Sequence, residues 1–290
     1  MIINKELEIV ECPRDAMQGL DYFIPTESKI SYINLLLNCG FDVLDVGSFV
    51  SSRAIPQMQD TAKVLNQIDV SSSSTKLLTI VANRRGAESA IEFDQVSYLG
   101  YPFSISETFQ KRNTNKSIEE SYRLLDEIYS IANKGNKDVV LYLSMAFGNP
   151  YGDHWDRELV HYWIDQLYKR FGPSIISLSD TIGCADIETI AVLFKELISG
   201  FSSVDFGAHL HVKPQDAKLL IDVAYNSGCR RFDTAMKGFG GCPMAKDDLT
   251  GNMPTEELLM WMRRNDIIND IDSENFDLAI DSVDQIFKKV

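Results

Sequence analysis

Apolar residues along this chain recur at two different spacings. Short runs rich in Val, Ile and Leu predict strands at residues 7–11 (LEIVE), 41–46 (FDVLDV), 76–81 (KLLTIV), 95–99 (QVSYL), 138–144 (DVVLYLS), 174–179 (SIISLS), 203–211 (SVDFGAHLH) and 229–233 (CRRFD). Between most of them, apolar positions return every three to four residues, the period of a helix. One predicted helix spans 26–39: it follows Pro25, aligns Ile30, Ile33, Leu36 and Leu37 on one face, and ends at Gly40. Others fall at 84–91, 117–133, 154–170, 187–198 and 215–226. A tail helix over 275–290 repeats Phe276, Ile280, Val283 and Phe287.

Eight strand–helix units in roughly 260 residues predict an α/β fold, a (β/α)8 TIM barrel with an extra C-terminal helix. A doubly wound open sheet is the competing architecture, but the chain carries no glycine-rich dinucleotide fingerprint. The expected organisation is a single catalytic domain over 1–290, with the barrel at about 7–262 and a helical extension at about 263–290.

Charge narrows the partners. Lys plus Arg is 28 against 42 for Asp plus Glu, a net charge of −14. Nucleic acid and anionic membrane both require a basic surface, so neither is expected. An anionic small substrate is still compatible, because a bound cation can supply the local positive charge. No run approaches the roughly 18–20 apolar residues of a membrane helix, and the start MIINKELEIV reads as neither signal nor transit peptide. The five cysteines, Cys12, Cys39, Cys184, Cys229 and Cys242, form no CxxC pair, which predicts a reducing, cytoplasmic setting.

Barrel enzymes act at the carboxyl ends of their strands. There the first strand is followed by Pro13-Arg14-Asp15, and the seventh ends in His209-Leu210-His211. Residues two apart on a strand share a face, so the two imidazoles can hold one ion side by side. On the pair alone, a hydrogen-bonded histidine pair is an equal reading; the Asp at another strand end favours metal. The expected ligand set is Asp15, His209, His211 and Asn252, two nitrogens and two oxygens that suit Mg2+ or Mn2+ better than structural zinc. Asp180 reads either as a support for a ligand or as a helix N-cap at the strand–helix turn. Arg14 reads as a stabiliser of a developing enolate or as a salt-bridge partner of Asp45. Cys242 sits in the glycine-rich run Gly238-Phe239-Gly240-Gly241-Cys242-Pro243 and reads as a mobile proton donor or acceptor. The other four cysteines read as small buried hydrophobes.

These motifs, taken in order, resemble a known family. Pro13-Arg14-Asp15, Ser48-Phe49-Val50 with Pro56-Gln57-Met58, Ser106-Glu107-Thr108-Phe109 to Asn113, Asp180-Thr181-Ile182-Gly183, the His209/His211 pair and GFGGCPMA with Gly251-Asn252 are similar to the 3-hydroxy-3-methylglutaryl-CoA lyases. These belong to a wider group of metal-dependent lyases and Claisen-condensing enzymes. The resemblance runs from about residue 7 to residue 262. It implies that Asp15, His209, His211 and Asn252 bind a divalent cation, that Arg14 stabilises the enolate of acetyl-CoA, and that Cys242 delivers a proton on a lid. It also implies that Asn83, Lys111 and Asn113 approach the CoA moiety. Three positions depart from the usual pattern: Ala16 follows Arg14-Asp15 in place of Gly, Asp45 stands for a common Glu, and Val212 follows His211 where Asp is frequent.

The implied reaction is a retro-Claisen cleavage of 3-hydroxy-3-methylglutaryl-CoA to acetoacetate and acetyl-CoA, with Asp15 or His209 as the base and a place in leucine breakdown. Two rivals are a condensing enzyme of the isopropylmalate or homocitrate synthase type and a non-catalytic barrel that binds metal or acyl-CoA. The expected assembly is a homodimer.

Overall fold

A computed structural model of the chain describes residues 6–241 and 250–287. Among these residues, eight parallel strands close into a barrel in sequence order: β1 (Glu8–Glu11), β2 (Val43–Ser48), β3 (Lys76–Ile80), β4 (Val96–Ser104), β5 (Asp138–Ser144), β6 (Ile175–Asp180), β7 (Asp205–Leu210) and β8 (Arg231–Thr234). Closure pairs β1 with β8 through Glu8↔Arg231 to Glu11↔Thr234. The helices are α1 (Pro13–Gln18), α2 (Thr26–Cys39), α3 (Thr61–Leu65), α4 (Arg84–Ala90), α5 (Glu107–Thr114), α6 (Ile118–Lys134), α7 (Arg157–Phe171), α8 (Ile187–Gly200), α9 (Ala217–Asn226), α10 (Thr255–Arg264) and α11 (Ser273–Ile286). None is long and apolar enough to cross a membrane.

Strand alternation divides the apolar residues into two cores. In β5, Val140 and Tyr142 join Val10, Val43, Leu78, Tyr98 and Ile175 in one cluster. Their neighbours Leu141 and Leu143 join a second, larger one that includes Leu36, Leu125, Ile128, Ile164 and Leu193 of the surrounding helices. Each fully buried Leu or Ile contributes about 1.5–3 kcal/mol of transfer free energy.

The predicted (β/α)8 barrel is the fold observed, and α2 has the boundaries expected of it. Several details differ. Strand β4 runs five residues past the expected end, because Gly100 and Pro102 read as punctuation. A Cβ at Gly100 would stand 2.6 Å from Ile80 Cδ1, so the glycine makes room inside the barrel. Helix α5 is too polar to show an apolar stripe, and α3 is only five residues long. Helix α10 does carry a stripe, Leu258, Trp261 and Met262, that the sequence reading passed over. Finally, α7 begins at Arg157 with Asp156 as its cap, three residues after the expected start.

Beyond α10, α11 begins two residues earlier than expected, capped by Asp272. It lies on the outside of the barrel against α2. Asp272 N–H donates to Cys39 O at 2.8 Å, and the rings of Tyr32 and Phe287 meet edge to face at 5.9 Å.

Glu11 fastens the closure. Its carboxyl accepts from Met236 N–H at 2.9 Å, beyond β8, and lies 2.5 Å from Thr255 Oγ1 at the start of α10. Burial pushes its pKa up to about 8, outweighing those bonds. Between the ordinary value of 4.5 and about 8, the folded protein holds a proton that the unfolded chain has released. Glu11 therefore makes stability fall as pH rises through this window, by up to about 1.4 kcal/mol per pH unit. Glu11→Gln should gain on the parent protein between about pH 5 and pH 8 in urea unfolding; a difference that stays constant with pH refutes this.

Candidate active site

Cys12 ends the first strand, and Pro13 opens α1 with a φ already suited to a helix. This short helix lies at the barrel mouth and turns Arg14 and Asp15 inward, where both are buried. Arg14 Nε donates to Asp45 Oδ2 at 2.9 Å, its Nη2 donates to the same oxygen, and its Nη1 donates to Asp15 Oδ1 at 2.7 Å. Gln18 also donates to Asp15 Oδ1. Burial alone would raise the pKa of Asp15, but Arg14, His209 and His211 together hold it down to about 2. For Asp45 burial outweighs Arg14, and its carboxyl is pushed up to about 6.

The histidines arrive from the end of β7. His209 Nδ1 lies 3.1 Å from Asp233 Oδ2, and its Nε2 lies 4.0 Å from Asp15 Oδ2. His211 Nε2 lies 3.9 Å from that same oxygen. Burial pushes the pKa of His209 down, yet Asp233 and Asp15 more than offset this and it is raised. His211 is lowered to about 4 by burial and by His209 beside it, so it is neutral. Its Nε2 is buried without a hydrogen-bond partner.

Ligand atoms of Asp15, His209 and His211 lie within 4.8 Å of one another. An orphaned imidazole nitrogen facing a carboxylate is costly unless something fills the gap. Two nitrogens and a hard oxygen fit a divalent cation that keeps positions open for other ligands. Asn252 reaches the same carboxylate, donating from Nδ2 to Asp15 Oδ2 at 2.8 Å and to Phe239 O at 2.9 Å.

A cavity of about 350 Å³ opens above this cluster. Arg14, Asp15, His209 and His211 line its buried end, and Asn83, Arg112, Asn113 and Lys116 line it towards solvent.

Most of the predicted residues are thus brought together. Arg14 is paired with Asp45, as its salt-bridge reading expects, and it also lines the cavity. Asn83 and Asn113 line the cavity, but Lys111 does not: it pairs with Glu107 at 2.9 Å on the exposed side of α5. Asp180 does not cap α8, whose N-cap is Asp186; its carboxyl holds the turn after β6, accepting from Cys184 N–H at 3.0 Å and Ala185 N–H at 2.8 Å. Cys12, Cys39 and Cys229 are buried as expected, whereas Cys184 is exposed. Cys242 lies outside the described residues. The sequence reading missed Asp233, Arg112 and Lys116. An acid closing the eighth strand, beside the His pair of the seventh, was the available signal for Asp233. The basic residues flanking Asn113 were the signal for the other two.

A closed β/α barrel with a carboxylate and two imidazoles converging at its mouth is the architecture of a barrel enzyme with a candidate metal site. The HMGL-like family model matches residues 7–283, and the chain belongs to that family. It is 33% identical to the hydroxymethylglutaryl-CoA lyase YngG of Bacillus subtilis, over 90% of this chain and 86% of that protein. The crystal structure of the Bacillus subtilis HMG-CoA lyase superposes with a TM-score of 0.90 at 32% identity, covering 97% of this chain and 93% of that one. An HMG-CoA lyase from Acinetobacter baumannii, in complex with coenzyme A and 3-methylmalate, gives a TM-score of 0.89 at 28% identity, over 97% and 90% of the two chains.

Gly240 ties the glycine-rich run to the cluster. Its φ is +108°, and a Cβ there would stand 2.4 Å from Asn252 Nδ2 and 2.8 Å from Asp15 O. Gly240→Ala should wedge Asn252 away from Asp15 and weaken Mn2+ binding about tenfold, read by calorimetry. Unchanged affinity in a folded variant would show that Asn252 and the cation are uncoupled.

Proposed function

We propose that this chain is a carbon–carbon lyase that cleaves 3-hydroxy-3-methylglutaryl-CoA to acetoacetate and acetyl-CoA. The observation that carries the reading is the convergence of Asp15, His209 and His211 beside Arg14 at the buried end of one cavity. Asp15, His209, His211 and Asn252 would hold the cation, Mg2+ or Mn2+. When bound, it supplies Lewis-acid polarisation of the substrate oxygens.

The chain's own groups do the rest. Asp15 removes the proton of the tertiary hydroxyl, because a carboxylate keeps lone pairs free when one of its oxygens ligates a cation and a ligating imidazole nitrogen does not. Asp233 engages the Nδ1 of His209, which leaves Nε2 facing the cavity as the ligand atom. As the hydroxyl oxygen becomes a ketone, the adjacent carbon–carbon bond breaks and its electron pair passes into the acetyl-CoA enolate. Arg14 bears on the enolate oxygen with its charge fixed in place by Asp45. Cys242 returns a proton to the enolate carbon.

Asn83 and Asn113 provide amide groups for the pantetheine arm, and Arg112 and Lys116 meet the phosphates of CoA. Lys111, exposed on the same helix as Arg112, adds to the positive field. Residues 1–290 form one catalytic unit, a barrel over about 7–262 with a helical extension over 263–290. We read it as a cytoplasmic homodimer acting in leucine degradation.

A coupled assay for acetoacetate tests this. Turnover should vanish with chelator and return with Mg2+ or Mn2+. Arg14→Ala should lower kcat about 100-fold or more with little change in metal affinity, because its charge acts on the transition state. His211→Ala should lose metal affinity first, and Cys242→Ala should lose turnover with the metal still bound. Near-normal kcat in Arg14→Ala sinks the enolate role; no turnover by the folded, metal-loaded protein sinks the substrate.

A further inference from the structure

One wall of the cavity is built differently from the rest. The buried end is rooted in strands, but the outer wall carrying Phe109, Arg112 and Asn113 is α5, eight residues long. A helix so short does not hold itself in water. Its middle is tied down by Gln110, which accepts from Ser104 N–H at 2.6 Å and donates to Ser121 Oγ at 3.0 Å. Its first turn is held by one acidic side chain from the segment after β5. Asp153 Oδ2 accepts from Ser106 Oγ at 2.5 Å and from Thr108 N–H at 2.9 Å, and its Oδ1 accepts from Thr108 Oγ1 at 2.9 Å. The same Ser106 hydroxyl caps the helix by accepting from Phe109 N–H at 3.1 Å. A carboxylate at this end also complements the helix dipole.

The segment that presents Asp153 is itself braced. Asn149 Oδ1 accepts from Tyr151 N–H at 3.0 Å and Asp153 N–H at 3.1 Å, while its Nδ2 donates to Asp153 O at 2.9 Å. This places the Tyr151 ring against α5. It stacks on Phe109 with centroids 6.5 Å apart, and the Arg112 guanidinium lies 4.9 Å above it. The exposed Arg112, which would otherwise sample many rotamers, thus has a defined seat at the solvent end of the cavity.

We infer that Asp153 is a positioning residue, which clamps α5 and, with Tyr151, fixes Arg112 where the anionic end of an acyl-CoA enters. The inference rests on the acyl-CoA reading for its ligand and on the geometry alone for the clamp. Loss of the clamp acts on binding and spares the chemical step, because Arg14, Asp15, His209 and His211 are held by β2, β7 and β8.

Asp153→Ala and Asp153→Asn in the full chain test it, with hydrogen exchange on the ligand-free protein, calorimetry with coenzyme A, and steady-state kinetics. Asp153→Ala should speed exchange of the amides at 108–114. It should also raise the Kd for coenzyme A and the KM about tenfold, with kcat and Mn2+ affinity unchanged. Asp153→Asn keeps an acceptor for Ser106 and Thr108 and should fall between the two, which also covers an alanine variant that does not fold. Unchanged exchange in either folded variant overturns the clamp. A fall of kcat and Mn2+ affinity together with KM overturns the positioning role in favour of a general structural one. Faster exchange in a variant whose parent neither binds coenzyme A nor turns over refutes the acyl-CoA reading and the role given to Arg112, while the clamp itself is upheld.

Discussion

The guanidinium of Arg14 lies between two buried carboxylates, Asp45 within β2 and Asp15 one residue along its own helix. Three charges taken out of water are costly, and only their mutual pairing makes the arrangement tolerable. Asp45 shows the strain: burial drives its carboxyl up towards neutrality despite two bonds from Arg14. Asp15 lies on the other side of the balance, with Arg14 and both histidines keeping it ionised. Arg14 thus pairs with the carboxylate that could hold a cation and is itself placed to bear on a substrate oxygen. Removal of Arg14 leaves both carboxylates without their cation, and breaking a buried pair in this way typically costs about 3–5 kcal/mol.

That triad works only because the barrel closes around it. Asp15 comes from just beyond β1 and the histidines from the end of β7, and β8 stands between the two strands. Through Asp233, β8 also supplies the group that orients His209. Glu11 then ties β1 to the turn after β8 and to α10, so the closure that forms the site is itself cross-linked by a buried carboxyl. A neutral His211 facing an ionised Asp15, with no partner for its Nε2, is the electrostatic signature of a site built for something positive.

The barrel was legible because strands and helices differ in apolar period, and that period survives in β5 and α2 almost residue for residue. The pairing of His209 with His211 was legible for the same reason, since positions two apart share a face. What escaped depended on contacts across the barrel. Gly100 and Pro102 look like the end of a strand until Ile80 is seen to need the space. Asp233 is an ordinary acid until β7 and β8 are placed side by side. Lys111 and Arg112 are adjacent cations on a helix with no apolar stripe, so no pattern tells which one faces the cavity; the helix phase assigns Arg112.

The two ends of the cavity are held by different physics. The buried end is fixed by strand register and paired charges, interactions that break only if the barrel opens. The outer wall is fixed by a short helix, a handful of hydrogen bonds to a half-exposed acid and one cation–ring contact, which are individually weak. Changes at the outer wall can therefore alter what is held without disturbing the groups that would carry out the bond cleavage. Selectivity for the anionic end of a ligand and the chemistry at its other end are thereby placed on separately adjustable parts of one fold.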